Sequence, residues 1–190
     1  MKSYRLSRRG FVPAAPEARD LLQRAGGRFV EEYECHDAIW LPRGGPAESS
    51  AAAIRIRRFP RDQGKPTIVT QKSAEFRNGI KTDHQVFSLE CRTESDLRLK
   101  MAEFERKGYR HAYGFSRTGW QYDFADAAAF VELIEFLEPS VEICADAEPR
   151  LSEIATQIGL SRFIECSLAE YVRQVLARRG PSGGTSGLDR

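Results

Sequence analysis

Two short segments of the chain carry cations at a spacing that suits anion binding. Ile54-Arg55-Ile56-Arg57 places two isoleucines on one face of a β-strand and two arginines on the other, because successive side chains of a strand point in opposite directions. Further along, Thr70 and Lys72 share one face of a second predicted strand. Cations on a buried face are costly unless an anion neutralises them. The pattern predicts a cavity lined with cations, and a solvated surface strand is the alternative interpretation of Arg55 and Arg57.

Length and composition favour a single domain without a strongly basic surface. The chain has 190 residues and a formal net charge of +2, so a general electrostatic attraction to nucleic acid is not expected. It contains no apolar run of the length that a membrane span or a signal peptide needs, and we expect a cytoplasmic protein with no membrane partner. The four cysteines are far apart and form no CxxC pair, which predicts free thiols.

Hydrophobic periodicity predicts an α+β domain over residues 1–179 and a disordered Gly/Ser-rich tail over 180–190. Asn78-Gly79 predicts a turn, and Ser95 or Asp96 is the predicted N-cap of the second helix. Strands are predicted over 3–9, 29–41, 52–58, 66–72, 84–93, 112–122, 128–136 and 139–144, with helices over 13–25, 94–107, 149–158 and 167–177.

Two stretches repeat the same order of elements. Residues 3–41 and residues 84–122 each contain a strand, a helix that ends in glycine, and another strand. The repeat favours an antiparallel sheet that closes into a barrel, with the helices packed outside against the aliphatic strand faces. The polar faces, including Arg55 and Arg57, would then meet inside the barrel.

In order and spacing, these motifs resemble the CYTH family of triphosphate tunnel metalloenzymes, which includes class IV adenylyl cyclases and thiamine triphosphatases. The family's R-x-R strand is matched by Arg55 and Arg57, and its T-x-K strand by Thr70 and Lys72. A later arginine three residues before an aromatic is matched by Arg117. The similarity extends over about residues 3–177. It implies a closed antiparallel tunnel that binds a nucleotide or polyphosphate, and it makes a homodimer plausible.

The chain departs from the family at the acidic positions. The family's first strand reads E-x-E-x-K, and here the matching positions are Arg5, Ser7 and Arg9. The acid of the middle strand is Glu90 in one alignment and Asp83 in another. The last E-x-E motif retains its first acid only, as Glu142. These departures predict a degenerate metal site.

The predicted inner wall is therefore strongly basic. The predicted metal ligands are Glu142, Glu90 and Glu132, which would hold one Mg²⁺ or Mn²⁺ ion at most. The predicted phosphate-binding residues are seven cations: Arg55, Arg57, Lys72, Arg117, Arg5, Arg9 and Arg92.

Several of these residues have a plainer interpretation. Arg5 and Arg9 would also suit a basic terminus, and Glu90 and Glu142 would also suit structural ion pairs. The pair formed by His36 and Asp37 is interpreted as the end of a strand and not as a catalytic pair. Trp120 and Tyr122, which share a strand face, are expected in the core beneath a helix.

Three functions remain open from the sequence. The first is a module that binds a polyphosphate, a nucleoside triphosphate or another anionic small molecule with weak or no catalysis. The second is an active metal-dependent triphosphatase or class IV adenylyl cyclase. The third is a scaffold for protein interaction. The first is favoured narrowly, because basic and neutral residues replace the acids of the first strand.

Overall fold

The computed structural model describes residues 4–43 and 53–179, so the tail predicted to be disordered over 180–190 lies outside the described residues. The four cysteines, all within these ranges, are free thiols as predicted. None of the helices in these two ranges is long and apolar enough to cross a membrane.

The strands are β1 Leu6–Phe11, β2 Arg28–Pro42, β3 Ile54–Arg58, β4 Thr67–Arg77, β5 Ile80–Cys91, β6 Tyr109–Asp123, β7 Ala127–Ile134, β8 Ser140–Ala145 and β9 Ser161–Phe163. The helices are α1 Ala15–Arg24, α2 Glu94–Arg106, α3 Glu148–Gln157 and α4 Leu168–Arg179.

Eight strands close into an antiparallel barrel. Their order is β5-β4-β3-β2-β6-β7-β8-β1, and β1 also pairs with β5, which completes the ring. The short strand β9, which the sequence analysis did not predict, adds to the far end of β1. The predicted fold class, an α+β closed antiparallel barrel, is confirmed.

The predicted repeat explains how the barrel closes. The two units are β1-α1-β2 and β5-α2-β6. Their equivalent strands pair with each other, β1 with β5 and β2 with β6, both antiparallel. Each unit therefore supplies the hydrogen-bonding partner for the corresponding strand of the other unit.

Outward strand faces bury their aliphatic side chains against helices. Helices α1 and α3 cover a cluster that includes Leu22, Ile143 and Leu151. Trp120 and Tyr122 belong to this cluster, so their predicted place in the core is confirmed. Burial of this apolar surface is the main source of stability for the barrel wall.

Helix α2 covers the opposite side of the barrel. Ile54, Ile56 and Val69 are almost fully buried there, together with Leu97 and Phe104 of the helix. The aliphatic face that the sequence assigned to β3 therefore faces a helix, and its arginine face is left to the barrel interior.

Helix α4 has a different role, because it lies across one end of the barrel. Val172 of this helix is fully buried against Ile39 and Phe115, which occupy interior positions of β2 and β6. The Tyr113 hydroxyl donates a hydrogen bond of 2.6 Å to the backbone carbonyl of Ala169. Helix α4 and this apolar cluster therefore cover part of that end of the barrel.

Local differences from the prediction follow from turn and cap chemistry. Strands β4 and β5 extend to the Asn78-Gly79 turn, because both turn residues adopt positive φ angles, 52° and 71°, that suit a tight hairpin.

The N-cap of α2 is Thr93 and not Ser95 or Asp96. Its hydroxyl accepts from the Asp96 backbone N–H at 3.1 Å, and the Asp96 carboxylate accepts from the Thr93 N–H at 3.3 Å. This reciprocal capping box satisfies two otherwise unpaired donors.

The capping box predicts a position-specific loss of stability. Thr93→Ala is expected to lower the free energy of unfolding by about 1 kcal/mol, because it leaves a helix N–H without its acceptor. Denaturant unfolding followed by circular dichroism measures this change. Ser95→Ala, an exposed substitution in the same helical turn, is the control and is expected to change stability by less than about 0.5 kcal/mol. Equal effects of the two substitutions would contradict the assignment of the cap.

Candidate functional site

The barrel encloses a cavity of about 560 Å³ that side chains from all eight strands line. Arg55 and Arg57 of β3 point into it, as the alternation of this strand predicts. Leu168 lines the end of the cavity beside α4. Glu90, an exposed residue, lines the opposite end. The cavity therefore extends along the barrel interior from one end toward the other.

A chain of alternating charges follows the inner wall and begins at β3. Asp37 of β2 accepts hydrogen bonds from Arg57 Nε at 2.8 Å and from Arg57 Nη2 at 3.1 Å. Asp37 also forms an ion pair with Arg117 of β6. Asp37 and Arg57 are direct cross-strand neighbours, so the pairing of β2 with β3 fixes their contact. Asp37 is fully buried and neutralised from two sides.

The chain continues from β6 through β7 to β1 and β8. Arg117 Nη1 donates to Glu132 Oε1 at 2.8 Å, and Arg9 Nη1 lies 2.6 Å from Glu132 Oε2. Arg9 Nη2 donates to Glu142 Oε2 at 2.5 Å. Arg9 Nη1 also donates to Ser140 Oγ at 3.0 Å. The ion-pair chain, as we call it, is Arg57–Asp37–Arg117–Glu132–Arg9–Glu142, with equal numbers of positive and negative groups.

Tyr33 supports the ion-pair chain, because its ring passes over Gly119 and reaches Glu132. Its hydroxyl donates to Glu132 Oε1 at 2.5 Å. In the strand register Tyr33 is opposite Gly119, and Gly119 is in turn opposite Glu132. A Cβ atom at position 119 would overlap the Tyr33 ring. Glycine is therefore needed at this position so that the ring can reach the carboxylate.

Pairing keeps the buried carboxylates ionised. Burial alone would raise the pKa of Glu142, but Arg9 outweighs it, with help from Lys81, and lowers the pKa to about 2. Burial likewise opposes ionisation of Asp37 and Glu132, yet the neighbouring arginines hold the pKa of each well below its usual range. The ion-pair chain is therefore fully charged at neutral pH.

Arg55 differs from the other arginines of the cavity. Within residues 4–43 and 53–179 it forms no ion pair, and its Nε atom has no hydrogen-bond partner. Burial, followed by repulsion from Arg57, lowers the pKa of Arg55 to about 10. Arg55 is still a cation at neutral pH, but its charge is held at an energetic cost to the protein.

Two lysines on the neighbouring strands β4 and β5 share a single carboxylate. Asp83 of β5 lies 3.2 Å from Lys72 Nζ and 2.6 Å from Lys81 Nζ. Thr70, which is buried, pairs directly with Arg55 across β3 and β4, and Lys72 follows it on the same inward face. Strands β3, β4 and β5 therefore carry more positive than negative charge on the inner wall. We call Arg55, Lys72 and Lys81 the cationic site.

The overall charge of the cavity corrects the sequence-based picture of seven cations against three acids. Arg5 precedes β1 and Arg92 follows β5, and both are exposed rather than part of the cavity wall. In the described part of the chain, seven cations face seven acids. The cations are Arg9, Arg55, Arg57, Lys65, Lys72, Lys81 and Arg117; the acids are Glu31, Asp37, Asp83, Glu90, Asp123, Glu132 and Glu142. Most cations of the wall are thus matched by acids, and the excess of positive charge lies at the cationic site.

The sequence analysis missed Asp37, Tyr33 and Lys81. His36 and Asp37 lie well inside β2, so their interpretation as the end of a strand is wrong. They do not form a pair, because His36 Nδ1 lies 3.3 Å from Ser116 Oγ on the outer face, whereas Asp37 points inward. Successive side chains of β2 alternate between the two faces of the sheet, so Tyr33 and Asp37 point to the same, inward face and His36 points outward. This alternation is the sequence signal that could have identified Tyr33 and Asp37.

The predicted metal ligands do not fit a divalent cation in this arrangement. Glu132 and Glu142 are both engaged by Arg9. Glu90 is exposed on β5, and the alternative acid Asp83 is engaged by two lysines. Among the described residues, no group of three or more His, Cys, Asp or Glu side chains lies close enough together to hold a metal ion.

Comparison with solved structures establishes the fold. A Pyrococcus horikoshii protein matches with a TM-score of 0.74 and 17% identity, over 90% of this chain and 99% of that chain. A candidate adenylyl cyclase from Hippeastrum with a dominant triphosphatase activity matches with a TM-score of 0.66 and 16% identity, over 90% and 95% of the two chains. A candidate adenylate cyclase from Vibrio parahaemolyticus matches with a TM-score of 0.67 and 10% identity, over 93% and 99%. No family model matches the sequence, and no curated protein matches it significantly.

The close approach of Tyr33 to Gly119 predicts a steric effect. Gly119→Ala is expected to lower the free energy of unfolding by about 1–3 kcal/mol, because the added methyl group forces the ring off Glu132. Denaturant unfolding measures the loss. In a Tyr33→Ala background the same substitution is expected to cost less than about 0.5 kcal/mol. An equal cost in both backgrounds would show that the ring is not the cause.

The lowered pKa of Glu142 predicts how stability depends on pH. A carboxylate whose folded pKa lies below its unfolded pKa contributes stability above the unfolded value, and this contribution is lost as the pH falls from 4.5 to about 2. Glu142→Gln should therefore reduce the free energy of unfolding at pH 7 by up to about 3 kcal/mol and flatten the profile in that window.

Urea unfolding at a series of pH values provides the measurement. Glu138→Gln is the control, because it removes an exposed partner of Arg162 that solvent screens, and it should leave the profile nearly unchanged. A Glu142→Gln profile that runs parallel to that of the unsubstituted protein between pH 4.5 and pH 2 would contradict the ionisation of Glu142 in the fold.

Proposed function

We propose that this protein binds a phosphate-bearing anion, a polyphosphate or a nucleoside triphosphate, in its barrel without a metal ion. The observation that carries the proposal is Arg55, a cation inside the cavity that has no ion-pair partner in the described part of the chain. Lys72 and Lys81 lie on adjacent strands and share one carboxylate. An anion at the cationic site would supply the negative charge that these three residues lack.

Phosphate is the anion that best suits these donors. The guanidinium group of Arg55 presents a planar fork that matches two phosphate oxygens, and ammonium groups such as Lys72 Nζ act as point charges beside it. Each charge-assisted hydrogen bond contributes about 1.5–3 kcal/mol. Binding would also relieve the repulsion between Arg55 and Arg57 that accompanies the lowered pKa of Arg55.

The ion-pair chain leaves the remaining arginines with a supporting role. Arg9, Arg57 and Arg117 already donate to carboxylates within the wall. We therefore narrow the phosphate-binding set predicted from the sequence to Arg55 and Lys72 and add Lys81. The other arginines hold the wall in shape around the ligand.

A binding module accounts for the site better than a hydrolase does. Metal-dependent phosphoryl transfer needs carboxylates that are available to a metal ion. Here Arg9 engages Glu132 and Glu142. The triphosphatase activity of the Hippeastrum protein keeps turnover as the second candidate function, and metal-dependent release of phosphate from a triphosphate is its test.

Anion binding predicts a thermal shift that depends on Arg55. Tripolyphosphate in the presence of EDTA should raise the melting temperature of the protein by about 5 °C at a concentration well above its dissociation constant. Arg55→Met should abolish this rise. The same variant should be as stable as the unsubstituted protein, or more stable, when no anion is present, because it removes an unpaired cation next to Arg57.

The adjacent Arg58 provides a matched control. It lies on the same strand, is exposed, and has Glu94 as a surface partner, so Arg58→Met should leave the thermal shift intact. Absence of any shift with tripolyphosphate or ATP would overturn the proposal. Phosphate release in Mn²⁺ that requires Glu142 would favour the enzyme, and a stable protein partner without either effect would favour the scaffold.

A further inference from the structure

We infer that Arg9 occupies the place of a divalent cation, acting as an internal counter-ion that closes a carboxylate pair to metals. Arg9 enters from β1 and is 8% exposed. It contacts Glu132 of β7 and Glu142 of β8 at 2.6 and 2.5 Å. One guanidinium group therefore links three strands through two carboxylates, which is the bridging role that a bound metal ion performs in other proteins.

The pairing of β1, β7 and β8 brings the side chains around the Arg9 guanidinium together. Arg9 is the direct cross-strand neighbour of Glu142, and Ser140, two residues earlier on β8, is the direct neighbour of Glu132. The Ser140 hydroxyl accepts a hydrogen bond from the same Arg9 nitrogen that contacts Glu132. Three oxygen-bearing side chains from two strands thus converge on the Arg9 guanidinium.

The chemistry of this oxygen set suits a hard divalent cation. Mg²⁺ and Mn²⁺ bind carboxylate and hydroxyl oxygens and retain water molecules in their remaining positions. Without the guanidinium, Glu132 would keep Arg117 and Tyr33 as hydrogen-bond donors. Glu142 would lose the partner that it contacts most closely. Lys81 and Arg117 would remain as more distant positive charges near Glu142. A cation that takes the guanidinium's place would restore the direct contact and so stabilise the protein.

The test removes the guanidinium and offers a metal. In Arg9→Ala, millimolar MnCl₂ alone, without phosphate, is expected to raise the melting temperature by about 5 °C. The unsubstituted protein should show no such rise. Isothermal titration calorimetry with MnCl₂ provides a second readout, with one ion bound per variant chain and none at this site in the unsubstituted protein.

Two further variants identify the ligands. Arg9→Ala with Glu142→Gln removes one positive and one negative group, so it keeps the charge balance of the ion-pair chain but should lose the response to Mn²⁺. Arg9→Lys keeps a cation in place and should not respond either.

The proposal is overturned if Mn²⁺ fails to stabilise Arg9→Ala, or fails to restore its folding where the variant is unfolded without metal. An equal Mn²⁺ response of the unsubstituted protein would overturn it as well. No anionic ligand enters this experiment, so its result is independent of the proposed phosphate binding at Arg55.

Discussion

The ion-pair chain is the constraint on which the rest of the structure depends. A barrel of eight strands has an interior that side chains must fill, and here much of that filling is charged. A buried charge is tolerated only when its partner is in place, because removing one partner leaves an uncompensated ion. Asp37, Glu132 and Arg9 each have partners on two different strands. A slip of one residue in any of these strands would move a charge from the interior to the outer face. The chain therefore ties strand register to electrostatics.

Stability and specificity come from different faces of the same strands. The outer faces bury Ile54, Ile56 and Ile143 against helices, and this apolar burial supplies most of the free energy that holds the wall together. The inner faces add little net stability, since desolvation offsets much of the attraction within each ion pair. Their paired charges instead disfavour other strand registers, and among the described residues Arg55 is left without an ion-pair partner. The anion binding that we propose would thus arise from a local imbalance in a wall that is balanced overall.

The sequence predicted local patterns well and contacts between distant strands poorly. Strand alternation was sufficient to place Arg55 and Arg57 inward, because that property depends on adjacent residues only. The partner of Arg57 is Asp37, and their contact depends on the pairing of β2 with β3, which no local pattern specifies. Arg5 and Arg92 were assigned to the wall because the first strand was predicted to begin three residues too early and the strand before α2 was predicted to end two residues too late. β1 begins at Leu6, and β5 ends at Cys91, just before the Thr93 cap.

The placement of α4 has a consequence for what a molecule inside the barrel would meet. Because Val172 and its apolar neighbours lie across one end, a bound chain would meet an apolar surface there. Glu31 and Glu90 line the opposite end. The two ends of the interior would therefore contact different parts of a bound chain, with apolar groups at one end and carboxylates at the other.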